Sequence, residues 1–199
     1  MEGIDQSITL WLNSIHAPWS DAFWCFMSLK TVWIPLYVLL AAMLVWRLGW
    51  KRGLLAVAGL GVSFFFDESI NNIVKELVQR PRPCNDMDML AAGIRVLEDG
   101  GGWSFPSGHA CNCFGLGLGA ALYLLRWPRC FDIAPVKGVP DSIWKAFGVI
   151  MIVWGALVGI SRIMVAKHFF FDVMAGFAEG ALIAWICWRF FSLIAKKLD

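Results

Sequence analysis

Five long apolar stretches, each nearly free of charged residues, dominate the chain and predict membrane-spanning helices. A spanning helix needs about 20 mostly apolar residues, because the hydrocarbon core of a bilayer is about 30 Å thick. Each stretch approaches that length once its flanking apolar residues are included. We therefore predict an all-α, polytopic transmembrane helical bundle. The predicted spans are residues 31–46, 53 to about 78, 108–125, 143–161 and 169–188.

The first 29 residues follow a different pattern. Their apolar side chains recur at helical spacing, with polar side chains off that face, which is typical of an amphipathic helix. Such a helix either lies in the membrane interface or packs against the bundle, and the pattern fits both. We assign residues 1–29 as an interfacial N-terminal helix. Its apolar face comprises Ile4, Ile8, Trp11, Leu12 and Ile15, whereas Asp5, Gln6, Thr9 and Asn13 lie off it.

Composition supports a membrane protein and narrows the possible partners. Hydrophobic residues make up 59% of the 199 residues and charged residues only 16%, which is too apolar for a soluble domain of this size. The formal net charge of +2 is too small to indicate a nucleic-acid partner. The six cysteines form no CxxC pair and predict no disulfide framework. We expect one integral membrane domain over residues 1–199.

The basic residues predict the orientation of the bundle. Ten of the 17 lie in or beside the loops after the first, third and fifth spans, and seven lie on the other side. Because cytoplasmic loops carry the excess of Lys and Arg, the first group is assigned to the inside. The N-terminus and the loop 79–107 then face outward. That loop is rich in glycine, and we expect it to cover whatever lies beneath it.

Three polar clusters lie inside or beside the predicted spans, although a charge near the bilayer centre costs roughly 2.5–3.5 kcal/mol. Taken singly, each cluster has an ordinary structural explanation: charged side chains that reach the interface, a capped helix start, and a structural His–Asp pair. The clusters are Lys75 with Arg82-Pro83, then Pro106-Ser107-Gly108-His109, then Ser161-Arg162 with His168 and Asp172.

The second and third clusters have features that suit an anionic ligand. Ser107 is a suitable N-cap for the third span, and Gly108 lets the backbone approach a ligand closely. The free N–H groups at a helix start bind anions. His168 and Asp172 are four residues apart and share a helix face, where the carboxylate can hold the imidazole in one tautomer.

The predicted topology brings all three clusters to one face of the membrane. The second span ends, the third begins, the fourth ends and the fifth begins on the same side, so the clusters fall at about one depth. Two imidazoles, one carboxylate, three cations and a helix N-terminus form a set suited to phosphate chemistry. One imidazole can attack phosphorus while the other protonates the leaving oxygen.

With these motifs in this order and spacing, the chain resembles the type 2 phosphatidic acid phosphatase family, whose site is shared with vanadium haloperoxidases. The resemblance covers roughly residues 53–184. It implies that His168 is the nucleophile that forms a phosphohistidine, that Asp172 orients and charge-balances it, and that His109 is the general acid and then the base. It also implies no metal and no other cofactor. The phosphate-binding groups that it implies are Lys75, Arg82, Arg162, Ser107 and the Gly108 amide.

The resemblance implies an integral membrane lipid phosphatase that hydrolyses a phosphomonoester or a diphosphate on a lipid head group. Undecaprenyl diphosphate, phosphatidylglycerol phosphate, phosphatidic acid and a lipid A phosphate are the candidate substrates, and the sequence does not choose among them. A lipid phosphotransferase with the same site, or a non-catalytic lipid-phosphate transporter or scramblase, is the alternative. We expect a bacterial inner membrane location with the site facing the periplasm. The oligomeric state stays open.

Polar residues near the clusters have weaker interpretations. Asp67, Glu68, Asn71 and Asn72 precede Lys75 in the second span, where they either position the lysine or bond between helices. Glu179 faces the bundle, where it either pairs with a basic group or lies near the lipid channel. His109, Cys111 and Cys113 form a poor zinc site, because residues that are two positions apart do not share a helix face.

Overall fold

The structure, a computed structural model, describes residues 2–197, and within that range it contains helices and no strand. Five of its helices are long and apolar enough to cross a membrane, which confirms the number of predicted spans. Residues 1 and 198–199 of the predicted domain lie outside the described range. The helices are α1 (Glu2–Ser14), α2 (Pro18–Ser28), α3 (Ile34–Leu48), α4 (Trp50–Val78), α5 (Met87–Ala91), α6 (Gly108–Cys130), α7 (Asp141–Met164) and α8 (Phe170–Ala195).

Helix α6 is the centre of the bundle and packs against α3, α4, α7 and α8. Its contacts with α7 and α8 are backbone to backbone: a Cβ atom added at Gly155 or Gly180 would collide with a carbonyl oxygen of α6. In a bilayer, such small-residue contacts replace the hydrophobic effect as the main source of helix association. The close fit fixes the start of α6 beside the start of α8.

Four of the spanning helices, α4, α6, α7 and α8, are longer than the stretches that predicted them, whereas the first span, Thr31–Leu48, consists of a 3-10 turn followed by α3. Helix α6 continues to Cys130 and α8 to Ala195, each beyond its predicted end. Charged side chains at the helix ends are tolerated where they find partners. Arg47, at the end of α3, donates to the carbonyl oxygen of Ala134 at 3.2 Å and lies over the ring of Trp144.

The N-terminal region contains two helices rather than the single one predicted over residues 1–29. Ala17 is extended and Pro18 occupies the first turn of α2, a position where proline is favoured because its missing N–H needs no partner there. Helix α1 packs against α7 and α8. It does so through its polar side, since Asp5, Thr9 and Asn13 are buried while much of the apolar side is exposed.

The loop 79–107 is packed onto the turn between α7 and α8. It contains the short helix α5 and a 3-10 turn at Pro83–Asn85. A small apolar cluster joins Cys84, Met89 and Ile94 of the loop to Ala166 and Phe169 of that turn. The loop therefore lies over the end of the bundle at which the three sequence motifs meet.

Candidate active site

The way in which α4 ends determines the positions of Lys75 and Arg82. After α4, Gln79 adopts the left-handed conformation with φ of 51° and donates its N–H to the Lys75 carbonyl oxygen at 2.9 Å. Pro81 and Pro83 then hold the chain extended, because proline lacks an N–H and restricts the residue before it. Lys75 thus lies in the last turn of α4, and Arg82 lies in the extended segment beyond it.

The second motif forms the start of α6. The Ser107 hydroxyl is the N-cap and accepts from the Ala110 N–H at 3.5 Å. The Gly108 backbone lies beside Lys75, because a Cβ atom built on Gly108 would be 3.5 Å from the lysine Nζ. The N–H groups of Gly108 and His109 belong to the first helical turn, which has no intrahelical acceptors. A lysine and free amides therefore face the same space.

Arg162 lies at the end of α7 with its guanidinium buried. It donates to the side-chain hydroxyl of Ser28 and, at 3.4 Å, to the Ser28 carbonyl oxygen at the end of α2. Glu98 of the loop 79–107 lies 3.9 Å from Arg162 and 2.7 Å from Lys167. Both the N-terminal region and the loop 79–107 thus hold this cation, and neither contact was identified from the sequence.

His168 is buried in the turn between α7 and α8, where its Nδ1 atom fixes the ring. Nδ1 lies 2.7 Å from the carbonyl oxygen of Ser104 and 3.7 Å from the nearer carboxylate oxygen of Asp172. Because a carbonyl oxygen only accepts, Nδ1 carries the hydrogen. Nε2 then carries the ring lone pair and accepts from the guanidinium of Arg82 at 3.4 Å. A nucleophilic nitrogen is thus presented beside a cation.

The surroundings of His168 keep its ring neutral. Burial lowers the pKa of His168 to about 4, and the charges of Arg162 and Arg82 act in the same direction, while the Asp172 carboxylate opposes them. At neutral pH the imidazole therefore has an unprotonated nitrogen. A neutral imidazole is the form that can attack phosphorus.

Asp172 has partners that sequence reasoning missed. One carboxylate oxygen accepts from the Phe169 N–H at 2.8 Å, and the other accepts from Arg80 at 2.7 Å. Arg80 also pairs with Asp5 of α1 at 2.7 Å. The sequence did carry a signal for Arg80, a second arginine directly before Pro81. Ser104 acts through its backbone and left no side-chain signal.

Two of the polar residues of α4 that precede Lys75 bond to neighbouring helices. The Asn71 side-chain amide donates to Glu179 of α8 at 3.3 Å, and Glu68 accepts from Asn112 of α6 at 3.0 Å. These bonds match the interhelical alternative, and they give Glu179 a partner. Asn71 also lies against the start of α6, because its Oδ1 is 3.1 Å from the Cβ position of Gly108.

The structure brings the three motifs to one end of the bundle, where α4 and α7 end and α6 and α8 begin. His109, half-buried in the first turn of α6, lies within electrostatic range of Arg162 and His168. The Ser107 N–H donates to the Asp172 backbone carbonyl at 3.0 Å, which joins the second motif to the third. The arrangement gathers imidazole, carboxylate and cationic side chains at one end of the bundle, a set of groups that suits phosphoryl chemistry.

Comparison with known proteins gives the family. The sequence profile of the PAP2 superfamily matches residues 56–195, and the chain belongs to that superfamily. It is therefore a membrane phosphatase of the PAP2 type. It is 28% identical over 202 residues to the lipid A 4'-phosphatase of Bacteroides thetaiotaomicron, covering 100% of this chain and 80% of that one. It is also 28% identical to phosphatidylglycerophosphatase B of Bacillus subtilis, covering 92% and 81% of the two chains.

Solved structures confirm the fold. The transmembrane PAP2-type phosphatidylglycerolphosphate phosphatase from Bacillus subtilis superimposes with a TM-score of 0.72 at 25% identity, covering 97% of this chain and 87% of that one. The LpxE structure from Aquifex aeolicus superimposes with a TM-score of 0.63 at 20% identity, covering 92% and 93%. The helical bundle with five spanning helices is thus the PAP2 membrane fold.

The buried neutral state of His168 predicts a pH-dependent stability. Its folded-state pKa of about 4 lies below the value of about 6.5 for an exposed imidazole, so the unfolded chain binds more protons between these values. The contribution of the neutral His168 ring to the free energy of unfolding is fully present above pH of about 6.5. It is lost as the pH falls toward about 4, by up to about 1.4 kcal/mol per pH unit.

We expect the Tm in detergent micelles to fall more steeply between pH of about 7 and about 5 in the wild-type protein than in His168→Gln, which has no titrating ring. The matched control is His16→Gln, because His16 is exposed. That variant should follow the wild type. Equal slopes for the wild-type and His168→Gln proteins would contradict the buried neutral state.

Proposed function

We propose that this protein hydrolyses a phosphate ester or diphosphate on a membrane lipid through a phosphohistidine formed at His168. The observation that carries the proposal is the orientation of the His168 ring, whose Nδ1 is fixed by a carbonyl oxygen while Nε2 lies beside Arg82. A nucleophile beside a cation suits attack on an anionic phosphoryl group.

The proposed reaction has two steps. In the first, the Nε2 lone pair of His168 forms a bond to phosphorus, the bond to the leaving oxygen breaks, and His109 gives that oxygen a proton. In the second, His109 takes a proton from water as the water oxygen bonds to phosphorus. The phosphorus–nitrogen bond then breaks, which releases inorganic phosphate and restores His168.

The phosphoryl oxygens are bound, in this proposal, by Lys75, Arg82, Arg162 and the first-turn N–H groups of α6, with Ser107 holding that turn in place. Three cations and helix amides supply the positive charge that phosphoryl transfer requires, so we propose that the reaction needs no metal ion. Activity that survives dialysis against EDTA would support this. Vanadate, which adopts the five-coordinate geometry of the transition state, should inhibit.

A lipid substrate fits an apolar groove that begins next to the site. Between α3, α4 and α6 lies a groove of about 340 Å³ whose lining is almost entirely apolar. His109, Asn112 and Leu116 follow one another along one face of α6, and the last two line the groove. The groove therefore begins about one turn into the membrane from the proposed general acid. We propose that it accommodates an acyl or prenyl chain.

The names of the relatives indicate which lipid head groups should be tested first. One relative is a lipid A 4'-phosphatase and another a phosphatidylglycerophosphatase, so a lipid A phosphate and phosphatidylglycerol phosphate are the first substrates to test. Undecaprenyl diphosphate and phosphatidic acid complete the panel. Release of inorganic phosphate separates a hydrolase from a transporter, scramblase or strict phosphotransferase, since none of these three releases phosphate into water.

We propose that the site faces the periplasm of a bacterial inner membrane. The support is the charge distribution: ten basic residues flank the opposite ends of the spans, among them Arg47 and Arg129, and such residues favour the cytoplasmic side. A lipid of the outer leaflet could then present its head group to the site while its chains stay in the bilayer.

The nucleophile is tested by alanine substitution. We expect His168→Ala to release no phosphate, because no group remains to form the covalent intermediate, and His109→Ala to lose about 10²–10⁴-fold in kcat. His16→Ala, at an exposed histidine, should retain full activity. Radiolabelled substrate should leave acid-labile label on the wild-type protein and none on His168→Ala. Near-wild-type turnover by His168→Ala would refute the proposed mechanism.

The groove is tested by filling it. Gly61 lines the groove, and a Cβ atom there meets nothing within 4 Å, so Gly61→Leu adds bulk without a backbone collision. We expect KM for a long-chain lipid phosphate to rise about ten-fold or more, with little change for a short-chain soluble ester. Leu54→Phe, which adds bulk at an exposed position of the same helix, is the control. Equal effects on both substrates would contradict the proposal.

The orientation is tested by cysteine labelling in spheroplasts. Cys130 is exposed at the end of α6 opposite the site. In a Cys25→Ser background we expect a membrane-impermeant maleimide to label Cys130 only after permeabilisation. A cysteine introduced by Asp88→Cys in the outer loop should be labelled without it. Labelling of Cys130 in intact spheroplasts would reverse the proposed orientation.

A further inference from the structure

We propose that Asp5 and Arg80 are positioning residues of the phosphatase reaction, so that α1 is part of the apparatus that holds the nucleophile. This inference rests on the proposed function, because it takes His168 to be the nucleophile. Neither residue belongs to the three sequence motifs. Arg80 is identified by its contact with Asp172, and Asp5 by its contact with Arg80.

Arg80 is held between two buried carboxylates. One terminal nitrogen pairs with Asp172 at 2.7 Å and the other with Asp5 at 2.7 Å, while Asp172 and Asp5 are 0% and 3% exposed. The centre of the guanidinium lies 3.7 Å from the centroid of the Phe169 ring. Both terminal nitrogens and one face of the guanidinium are thus in use. These contacts suit Arg80 to orienting Asp172 and leave little of its guanidinium to bind a phosphoryl group.

Arg80 supports the imidazole through its backbone as well. Its carbonyl oxygen accepts from the Ser104 N–H at 2.8 Å, and the Ser104 carbonyl oxygen lies 2.7 Å from Nδ1 of His168. Its side chain contacts Asp172, whose carboxylate lies 3.7 Å from the same nitrogen. Both groups that surround Nδ1 are consequently fixed by residue 80, one by a main-chain bond and one by an ion pair.

Helix α1 fixes the start of α8 from outside. Asp5 accepts from the Phe171 N–H at 2.9 Å, and the Thr9 hydroxyl accepts from the Phe170 N–H at 3.0 Å. The first N–H groups of a helix have no partner within it, so α1 supplies the missing acceptors. Asp172 lies in this first turn. Helix α1 thereby positions the carboxylate both through the backbone and through Arg80.

Asp5 is required because Asp172 and the Phe169 ring do not by themselves hold both ends of the Arg80 guanidinium. Arg80 is 20% exposed and borders a groove of about 500 Å³ that is also lined by Phe105, Phe171 and Met174. A guanidinium with one carboxylate partner could turn toward that groove. A second carboxylate on the opposite nitrogen holds its plane and keeps the buried Asp172 charge paired.

The experiment replaces Asp5 by Asn. An asparagine carbonyl can still accept from the Phe171 N–H, so the docking of α1 is preserved while the ion pair with Arg80 is lost. We expect kcat to fall about ten- to hundred-fold with KM changed by less than about two-fold, because Asp5 does not touch substrate. Asp88→Asn, the same change at an exposed position of the outer loop, should be unaffected.

Two inhibitors distinguish positioning from a general loss of structure. Vanadate bonds to the nucleophile, so its inhibition constant should rise with the fall in kcat in Asp5→Asn. Inorganic phosphate, held by the cations, should bind as in the wild type. If Asp5→Asn fails to fold, Asp5→Glu, which keeps the charge but displaces it, takes its place. Equal weakening of both inhibitors would overturn the proposal.

A double-mutant cycle tests the path of the effect. Arg80→Gln alone should lower kcat at least as much as Asp5→Asn, and adding Asp5→Asn to it should cause no further loss, because Asp5 acts through Arg80. Additive losses would overturn the proposal, as would Asp5→Asn activity equal to that of Asp88→Asn. These failures leave the phosphohistidine mechanism standing if His168→Ala is inactive, whereas an active His168→Ala protein refutes the mechanism itself.

Discussion

A carboxylate buried at the edge of a bilayer is stable only if fixed partners replace the water that it has lost, and much of this site is arranged to meet that requirement for Asp172. Its partners come from three parts of the chain: the turn before α8, the segment after α4, and, through Arg80, the first turns of α1. The need to pair one charge therefore assembles elements that are remote in sequence. The position of the imidazole follows from that assembly.

The polar face of α1 shows the same constraint from the other side. A helix at a membrane surface ordinarily turns its apolar side chains toward the protein or the lipid and its polar ones toward water. Here the buried residues are Asp5, Thr9 and Asn13. Asp5 and Thr9 accept from backbone N–H groups of α8, Asp5 also pairs with Arg80, and Asn13 donates to the Met164 carbonyl oxygen at the end of α7. Helix α1 contributes hydrogen bonds to the bundle more than it contributes apolar packing.

Sequence patterns were sufficient for the features that depend on local chemistry. Apolar length gives the five spans, proline gives the end of α4, and a serine before a helical run gives the cap of α6. Because successive spans run in opposite directions, the three motifs then lie at one end of the bundle. The break between α1 and α2 also had a local signal, Pro18, which the assignment of one helix over residues 1–29 did not use. The burial of the polar side of α1 and the contacts of Glu98, in contrast, depend on tertiary pairing between distant residues. Amphipathic periodicity shows that a helix has an apolar and a polar side, but it does not show which side packs against the bundle.

The Ser104 contact has a consequence for how such sites change over time. The main chain of this residue holds both the imidazole and Arg80, whereas its hydroxyl is buried with no hydrogen-bond partner among the described residues. Natural variation at position 104 is therefore restricted by backbone geometry and by the space around it, with proline excluded because the N–H is used. Different side chains at position 104 can thus serve the same architectural role, and a search for invariant side chains would overlook this position.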